Sequence, residues 1–436
     1  MKVLLLAAGQ SKRMQPIEDK NFLEFLGKPL IQYQLETLKE AGFSDIAIVA
    51  GRHNREKIER LGKKLKLKVK IVEQKISNGM HGAVLAAKNL LNNQPLLIVS
   101  GNDIVDGEAF EAMKEAFKPG EAESYLLGKK VESYFPGGYL EVDKKGFIKN
   151  IIEKPGEGNE PGDMINLVLH LHTTPAKLVW YLEKVRGEKD DLYEKALAAM
   201  MKDGVKMKAV KYNGFWQALK YPWHIQKVFE YLFSKAEKKV AKSANISKSA
   251  TIDGEVIIED GVKVMENAVI KGPTYIGKNS IVATNALVRG SHIGENCVVG
   301  FGTEVARSFL GNDVWTHSNY IGDSVIGNNV SFGAGTVTGN LRLDEANVVV
   351  SNAGEKMDIG SNKFGAVIGD NVRVGINTSI MPGIKIGTGS MIGAGIILPE
   401  NVQPNSFVRG EVKLRTSPNK VKIGVRKKLG NFRSRS

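Results

Sequence analysis

The sequence predicts a two-domain protein in which an N-terminal α/β domain precedes a C-terminal left-handed parallel β-helix. Three observations lead to this prediction. The chain of 436 residues is too long for one ordinary core. Short apolar runs alternate with amphipathic segments in its first half, whereas aliphatic residues recur every six positions in its second half. The predicted organisation is an α/β domain over 1–232, a helical linker over 233–245, a β-helix over 246–412 and a basic tail over 413–436.

The α/β domain is predicted from seven apolar runs that have the length of buried strands. They are residues 3–7, 46–50, 69–72, 96–100, 125–127, 151–152 and 167–171. Between the first two runs, Ile31, Leu35 and Leu38 recur at helical spacing after Pro29, and Gly42 occupies a position typical of a helix C-terminus. This β-α-β unit predicts a Rossmann-like domain with a mostly parallel sheet. An amphipathic stretch over 222–242 predicts the helix that leaves the domain.

The β-helix is predicted from aliphatic residues with a period of six. The series are Val264, Ile270, Ile276, Val282 and Val288, then the overlapping Ile281, Leu287, Ile293, Val299 and Val305, and finally Ile368, Val374, Ile380, Ile386, Ile392 and Leu398. Each hexad predicts one short strand with its aliphatic side chain inward, and three hexads close one triangular coil. A glycine-rich β-sandwich is the alternative architecture. Residues 340–362 break the period and are predicted to form a loop projecting from the coils.

The charge distribution, the apolar stretches and the cysteine content restrict the partners and the cellular compartment that the sequence predicts. Nine Lys and Arg residues and no acidic residue lie between Lys413 and Arg435, so much of the net charge of +14 belongs to the tail. Such runs are usually solvated, and a nucleic-acid partner is the less favoured interpretation. No apolar stretch approaches the length of a membrane span, and residues 1–6 read as a buried strand. The single Cys297 excludes an internal disulfide and favours a reducing cytoplasm.

A loop of small residues follows the first strand, in the sequence LAAGQSKRM over 6–14. Backbone N–H groups at Ala7, Ala8 and Gly9 are suited to binding phosphate oxygens. Together with Pro16, Lys20 and the sequence GKPLI over 27–31, this loop resembles the opening of sugar-1-phosphate nucleotidylyltransferases. The resemblance covers residues 1–232. It implies that a nucleoside triphosphate, UTP or dTTP, reacts with a sugar-1-phosphate and releases pyrophosphate, with Mg²⁺ as cofactor.

The resemblance assigns roles to five residues on the nucleotide side. Arg13 matches an arginine that holds the leaving pyrophosphate, and Lys20 matches a lysine that neutralises the reacting phosphates. Gln74 and Gly79 match the pair that reads a pyrimidine base. Asp103, after an apolar strand, matches a magnesium-binding aspartate, and ligands do bind at the carboxyl ends of strands in such sheets.

On the sugar side, Gly138, Glu153 and Asn166 match residues that hold ring hydroxyls, and Lys154 matches a phosphate contact. In this chemistry a sugar-phosphate oxygen attacks the α-phosphorus in line and pyrophosphate leaves. Positioning and charge neutralisation lower the barrier, which is why cationic side chains and a metal ion are expected to converge.

The sequence departs from the family pattern at three places. Residues 10–12 replace a second glycine of the loop, and Met80 stands where a small polar residue is expected. In the segment WQALKYPW over 216–223, Ala218 stands where the second metal-binding aspartate falls. The alternative to an enzyme is therefore a regulatory or assembly subunit that keeps the nucleotide-binding shape.

The second half resembles the acetyltransferase half of bifunctional enzymes that make UDP-N-acetylglucosamine, particularly the archaeal type. The resemblance rests on THSNYIGD over 316–323 and FGAGT over 332–336. It makes His317 a general base, since a neutral imidazole can accept the proton of an attacking amine. Residues assigned to the acetyltransferase substrate are Arg289 and Lys363 on the sugar phosphate, Tyr320 and Asn340 on the sugar, and Ala334.

The same resemblance implies that acetyl-CoA lies in a groove between neighbouring β-helices of a homotrimer. The match has limits, because Ala306 stands where a further phosphate-binding lysine is expected, and the residues flanking His317 differ. Two alternatives remain at this point: the β-helix only oligomerises the first domain, or it transfers an acyl group to a different amino sugar.

Overall fold

The computed structural model describes residues 1–76, 78–91, 94–187, 191–352, 354–411 and 414–422. It confirms an α/β domain followed by a parallel β-helix. Of the predicted basic tail, only 414–422 is described, and those residues form neither helix nor strand. The rest of the tail lies outside the described residues.

The first domain is built on a nine-stranded sheet with the order β10-β9-β11-β6-β1-β4-β5, in which β8 pairs with β11 and β12. The strands of this domain are β1 (Lys2–Ala7), β2 (Glu24–Phe25), β3 (Lys28–Pro29), β4 (Ile46–Ala50), β5 (Val69–Glu73), β6 (Leu96–Ser100), β7 (Asp103–Val105), β8 (Ser124–Lys130), β9 (Gly138–Val142), β10 (Ile148–Glu153), β11 (Met164–His172), β12 (Met207–Lys211) and β13 (Trp216–Ala218). Strands β2 with β3 and β7 with β13 form two separate pairs.

The sheet is mixed, so the prediction of a mostly parallel sheet is wrong for its second half. Strands β1, β4, β5 and β6 are parallel, as the β-α-β unit predicted. Strand β11 runs antiparallel to β6, β8 and β9, and β9 runs antiparallel to β10. The reason is that no crossover helix lies between β8 and β11, and a parallel return needs such a connection.

The described residues contain seven α-helices: α1 (Leu30–Glu40), α2 (Arg55–Lys64), α3 (Gly79–Ala86), α4 (Gly107–Ala116), α5 (Pro175–Lys184), α6 (Leu192–Lys202) and α7 (Ile225–Lys235). Short 3-10 turns cover Lys12–Met14, Lys20–Phe22, Lys88–Leu90 and Pro222–His224. Helix α1 begins after Pro29 as predicted, and Gly42 after its end has a φ of 80°. Within the described ranges, no helix combines the length and apolar character needed to cross a membrane.

The predicted helical linker is wrong beyond Lys235, where α7 ends. Ala236 is already extended, and Lys239–Val240 pairs with Ile257 and Ile258 as the first strand of the β-helix. Ladder hydrogen bonds of the first coil therefore replace the helix that the lysine-rich pattern predicted.

The second domain consists of short strands, which form three parallel faces except for the two antiparallel strands of the insertion. They are β14 (Lys239–Val240), β15 (Asn245–Ile246), β16 (Thr251–Asp253), β17 (Val256–Ile258), β18 (Lys263–Val264), β19 (Val269–Lys271), β20 (Thr274–Ile276), β21 (Ile281–Val282), β22 (Leu287–Arg289), β23 (His292–Ile293), β24 (Val298–Val299), β25 (Glu304–Ala306), β26 (Phe309–Leu310), β27 (Tyr320–Gly322), β28 (Val325–Ile326), β29 (Ser331–Phe332), β30 (Val337–Thr338), β31 (Val349–Asn352), β32 (Glu355–Asp358), β33 (Val367–Ile368), β34 (Arg373–Val374), β35 (Ser379–Ile380), β36 (Lys385–Ile386), β37 (Met391–Ile392), β38 (Ile397–Leu398) and β39 (Phe407–Val408). One face has the order β14-β17-β20-β23-β26-β28-β33-β36, and a second has β16-β19-β22-β25-β27-β30-β35-β38. Bridges from Trp315 to Val298 and Ser331 join β15-β18-β21-β24 to β29-β34-β37-β39 as the third.

The hexad pattern correctly predicts the core of the β-helix. Most of the predicted inward residues are buried in one continuous cluster. Ile281 and Leu287 are exceptions, because they are only partly buried. The coil from Val264 to its partner Val282 has 18 residues, whereas the next coil, from Val282 to its partner Val299, is one residue shorter. The inward positions therefore shift by one residue in that coil. At the corner Gly375, an added Cβ would lie 2.6 Å from the backbone of the next coil.

Cys297 is part of this core, as the sequence suggested. It is fully buried, and its Sγ lies 3.2 Å from the carbonyl oxygen of Gly311. Burial raises the pKa of its thiol to about 12.

The insertion at 340–362 is a β-hairpin, and the prediction of a projecting loop is wrong. Strands β31 and β32 pair antiparallel. Val348 and Val350 are buried and belong to the same apolar cluster as Phe229 of α7. Burial of these two valines holds the insertion against the body of the protein.

The two domains share this buried apolar cluster. The ring of Phe25 lies 5.2 Å from that of Phe309, and His292 stacks on Phe309 at 4.4 Å. The Leu26 backbone N–H donates a hydrogen bond of 3.1 Å to His292 Nε2, and burial lowers the pKa of this histidine to about 4. A packed interface therefore fixes the β2–β3 segment of the first domain on one face of the β-helix.

Candidate active sites

The phosphate loop is held by two asparagine side chains. Strand β1 ends at Ala7, whose carbonyl oxygen accepts hydrogen bonds from Asn21 Nδ2 at 3.1 Å and Asn54 Nδ2 at 2.9 Å. These bonds position the residues that follow, Ala8 and Gly9, at the carboxyl edge of the sheet. Gly9 is exposed there, and no atom lies within 4 Å of the position a Cβ would take. The loop is therefore open to a ligand.

Lys20 is the buried centre of the phosphate side. It is 6% exposed, and its Nζ donates a hydrogen bond of 3.2 Å to the Leu219 carbonyl. Desolvation lowers its pKa to about 8; Asp103 opposes this change, whereas Arg13 and Lys220 add to it. Asp103 and Arg13 therefore both act electrostatically on the Lys20 ammonium group. Arg13 itself is exposed.

Asp103 is the one carboxylate at the predicted metal position. In the β7–β13 pair it stands directly opposite Ala218, and such cross-strand partners have Cβ atoms about 5 Å apart. The alignment of this segment is therefore spatially consistent: an aspartate at 218 would lie beside Asp103. Trp216 Nε1 donates a 3.0 Å hydrogen bond to Asp103 Oδ1. In the described part of the chain, no three His, Cys, Asp or Glu side chains are grouped to hold a metal ion.

The residues predicted to read the base are in direct contact. Gln74 follows β5, and its Nε2 donates hydrogen bonds to the carbonyls of Ile76 at 2.9 Å and Gly79 at 3.1 Å. Gly79 opens α3 with a φ of 69°, a conformation that favours glycine. The turn between β5 and α3 is thus tied together by the Gln74 amide.

The predicted sugar-binding residues also meet. Gly138 of β9 pairs with Glu153 of β10, and a Cβ at 138 would lie 3.1 Å from Glu153 Oε2 and 3.6 Å from Asn166 Cβ. Glycine at 138 thus leaves room beside these two polar side chains. Lys154 Nζ lies 3.8 Å from Glu153 Oε1 and is exposed. His170 Nε2 lies 2.9 Å from Asn166 Oδ1 and fixes that amide.

The β-helix contains a polar cluster around Asp323. Asn340 Nδ2 donates to the Tyr320 hydroxyl at 3.1 Å and to Asp323 Oδ2. Arg307 makes two hydrogen bonds to the same carboxylate, of 2.6 and 2.7 Å. Lys363 lines a cavity of about 430 Å³ together with Arg307, Asp323 and Trp223 of the first domain. Of the predicted residues, Asn340 therefore contacts the Asp323 carboxylate directly, Tyr320 contacts Asn340, and Lys363 shares the cavity with Asp323.

The other predicted acetyltransferase residues lie outside this cluster. The Arg289 guanidinium forms an ion pair with Glu304 at 2.7 Å, so the Glu304 carboxylate competes with a phosphate for this side chain. His317 is exposed at a corner, and its imidazole has no hydrogen-bond partner within the described ranges. Ala334 lies at the corner one coil further along, where the Gly335 N–H donates to the Ser318 carbonyl at 2.9 Å.

Family models match the chain in three places. The nucleotidyl transferase model matches residues 2–219, the GMPPB C-terminal domain model matches 235–322, and the bacterial transferase hexapeptide model of six repeats matches 365–395. The bifunctional sugar-1-phosphate nucleotidylyltransferase/acetyltransferase of Sulfurisphaera tokodaii is 34% identical over 420 residues, which cover 94% of this chain and 100% of that protein. The chain belongs to this bifunctional nucleotidylyltransferase/acetyltransferase family. The bifunctional protein GlmU of Methanocaldococcus jannaschii is 31% identical over 417 residues, covering 94% of this chain and 97% of that protein.

This member of the bifunctional family has functional candidates that sequence reasoning missed. Lys220 lies in the segment 216–223, which was used only for Ala218, yet its ammonium interacts with Asp103, Arg13 and Glu153. Arg307 directly follows Ala306, where a lysine was expected, and supplies a cation one position later. In both cases the available signal was a basic residue one or two positions after a departure from the family pattern.

Proposed function

We propose that the first domain transfers a nucleotidyl group from UTP or dTTP to a sugar-1-phosphate and releases pyrophosphate. The observation that carries the proposal is that Lys20 binds the carbonyl oxygen of Leu219, next to the strand pair that contains Asp103, while Gly138 pairs with Glu153. One wall of the cleft is cationic, and the other presents hydroxyl-binding groups. This is the arrangement that two phosphates of like charge require when one attacks the other.

Each residue has a place in the proposed reaction. Loop residues 7–9 bind phosphate oxygens through their N–H groups, and Gln74 with Gly79 holds the pyrimidine. Glu153 and Asn166 accept and donate hydrogen bonds at the sugar hydroxyls, and Lys154 contacts the sugar phosphate. The sugar-phosphate oxygen attacks the α-phosphorus while Lys20 neutralises the charge that develops there. Arg13 then holds the departing pyrophosphate.

Magnesium fits this cleft as an ion shared with the substrate. Asp103 is a single carboxylate with one oxygen engaged by Trp216, and Mg²⁺ commonly uses one or two carboxylates, substrate phosphates and water. Asp103 would hold it together with the triphosphate. When bound, the ion supplies further neutralisation of phosphate charge.

A substrate panel tests the nucleotidyl transfer. Each of UTP, dTTP, ATP and GTP is combined with a set of sugar-1-phosphates, and pyrophosphate release is measured with Mg²⁺ present. We expect release with a pyrimidine triphosphate and at least one sugar-1-phosphate. If no combination releases pyrophosphate although the protein binds the triphosphate, the chain is a regulatory or assembly subunit instead.

We further propose that the β-helix acetylates an amino-sugar phosphate with acetyl-CoA. The supporting observations are the hydrogen bonds of Asn340 to Tyr320 and Asp323, and the cavity of about 430 Å³ that Asp323 lines together with Lys363. In this proposal His317 accepts the amine proton as the nitrogen attacks the thioester carbonyl, and CoA leaves as its thiol. Its exposed ring is accessible to a substrate and to a neighbouring subunit.

His317→Ala tests this second activity, with Ser318→Ala as the matched control at the same corner. We expect the unaltered protein to release CoA when given glucosamine-1-phosphate and acetyl-CoA, and the histidine variant to lose this release while it keeps pyrophosphate release. The control variant should keep both. A protein that forms nucleotide sugars and never consumes acetyl-CoA, whatever amino-sugar phosphate is offered, would reduce the β-helix to an oligomerisation device.

The proposed assembly is a homotrimer in the cytoplasm. Several large apolar side chains on the β-helix are exposed in the single chain, among them Phe301 at 59%, Trp315 at 57% and Ile376 at 53%. Exposed apolar patches of this kind mark interaction surfaces. Acetyl-CoA would lie in the groove that neighbouring chains form, near His317 and Ala334. A lone buried thiol agrees with a reducing compartment.

A further inference from the structure

Lys220 occupies the boundary between the two halves of the nucleotidyl-transfer cleft. It directly follows Leu219, whose carbonyl oxygen binds Lys20. Its Nζ lies 4.6 Å from the centre of the Phe135 ring and 3.5 Å from the Pro136 carbonyl oxygen. The Phe135 ring in turn packs against Trp216, the residue that donates to Asp103. The Lys220 side chain is thus held against the same aromatic wall that positions the carboxylate.

The charges around Lys220 come from both substrate halves. Burial lowers its pKa; Asp103 raises it and Arg13 lowers it from the phosphate side, and Glu153 raises it and Lys154 lowers it from the sugar side. No other lysine with a shifted pKa in the described residues interacts with residues of both sides. Geometry agrees with this position between the two sides, because the preceding residue Leu219 binds Lys20 and lies beside Ala218, which stands opposite Asp103.

Two changes in one short segment are complementary. At 218 a methyl group replaces the carboxylate expected opposite Asp103, and two residues later the chain carries a cation. A second carboxylate would add negative charge and require a metal ion to offset it. The groups that act on one another here are four cations, Lys20, Arg13, Lys220 and Lys154, and three carboxylates, Asp103, Asp19 and Glu153, so the basic side chains outnumber the acidic ones by one. The cleft is cationic without any added ion.

We propose that Lys220 is a further catalytic residue, whose ammonium group binds the reacting phosphate oxygens and supplies charge that a metal ion held by both Asp103 and a carboxylate at 218 would otherwise provide. This inference rests on the proposed nucleotidyl transfer. As the sugar-phosphate oxygen forms its bond to the α-phosphorus, the bond from that phosphorus to the bridging oxygen breaks, and pyrophosphate takes the electron pair. Lys220 keeps its proton throughout and donates hydrogen bonds to the phosphate oxygens.

The test measures triphosphate binding by calorimetry in EDTA and, separately, the rate of pyrophosphate release with Mg²⁺. The variants are Lys220→Met and Lys220→Arg, with Lys211→Met as the control for lost charge at an exposed site. We expect the unaltered protein and the control to bind UTP or dTTP in EDTA. Lys220→Met should bind at least about tenfold more weakly there and lose at least about a hundredfold in kcat, whereas Lys220→Arg should recover most of the binding. Equal binding by the Met variant and the unaltered protein would overturn the proposal.

A second arm separates a phosphate contact from a structural role. In the double variant Ala218→Asp with Lys220→Gly, triphosphate binding should become dependent on Mg²⁺. Equal binding with and without Mg²⁺ in this variant would contradict the proposal that the Lys220 charge replaces that of a metal ion. The proposal would also be overturned if a lower melting temperature accounted for the weaker triphosphate binding of Lys220→Met and if Lys220→Arg did not restore that binding. The binding arm needs no turnover, so it remains decisive if the substrate panel finds no reaction.

Discussion

The burial of Lys20 predicts a specific loss of activity at alkaline pH. Its pKa is about 8, lowered chiefly by desolvation, so the ammonium form is lost as the pH rises through that value. At pH 9 about one molecule in ten keeps the charge, from the titration of a single group. If Lys20 neutralises the reacting phosphates, kcat/KM should fall about tenfold between pH 7 and pH 9, since kcat/KM reports groups of the free enzyme.

The assay is initial pyrophosphate release at low triphosphate concentration over pH 6–10, with ionic strength and Mg²⁺ held constant. Lys20→Arg is the informative variant, because a guanidinium stays charged throughout this range. Lys220 titrates in the same direction, so the profile of Lys220→Arg is measured beside it. We expect the step near pH 8 to disappear in Lys20→Arg and to persist in Lys220→Arg.

A flat profile up to pH 10 in the unaltered protein would exclude Lys20 as the group that controls the rate, since a buried lysine with this pKa cannot remain charged there. A step near pH 8 that Lys20→Arg kept at full amplitude would exclude it as well. In that case another group of the free enzyme controls the rate.

Three further predictions concern the metal, the domain interface and the assembly. Asp103→Asn keeps an acceptor for Trp216 and should lower pyrophosphate release at least about a hundredfold; an unchanged rate would remove Asp103 from the metal site. Phe309→Ala should destabilise the protein by about 3–5 kcal/mol in calorimetry and lower the transitions of both domains, with the exposed Phe407→Ala as control; a first-domain transition that stays in place would contradict the shared core. Replacing Phe301 and Ile376 together by glutamate should give a monomer by light scattering, and a trimer that survives would place the interface elsewhere.

The sequence predicted the β-helix well because each coil repeats the same physical demand. An inward position such as Ile380 or Ile386 must be aliphatic, and corners require residues that tolerate close approach or a positive φ, as at Gly375 and Asn377. The phosphate loop and Lys20 were also predictable, because local motifs carry them. Antiparallel β9, β10 and β11 were missed, since apolar runs report burial and not strand direction.

The shared core of the two domains was not predicted, although a signal for it exists. On one face of the β-helix, the outward residue before the inward one is apolar or aromatic in six successive strands, and a lysine takes this position in the strand at each end of the face. The six residues are Ile257, Tyr275, His292, Phe309, Val325 and Val367. A solvated face would carry polar residues there. What a single sequence does not contain is the partner surface, here β2 and α7 of the first domain. Lys220 was missed for the same reason, because its neighbours Glu153 and Asp103 are distant in sequence.

The buried Cys297 makes this protein convenient for site-specific spectroscopy. It is the only cysteine in the chain, and with a thiol pKa of about 12 almost none of it is present as the reactive thiolate at neutral pH. Maleimide reagents should therefore leave the natural chain unlabelled. One cysteine introduced on an exposed corner of the β-helix would then carry the only fluorophore or spin label in each subunit, and distances between labels would report how the subunits are arranged, without prior removal of any native residue.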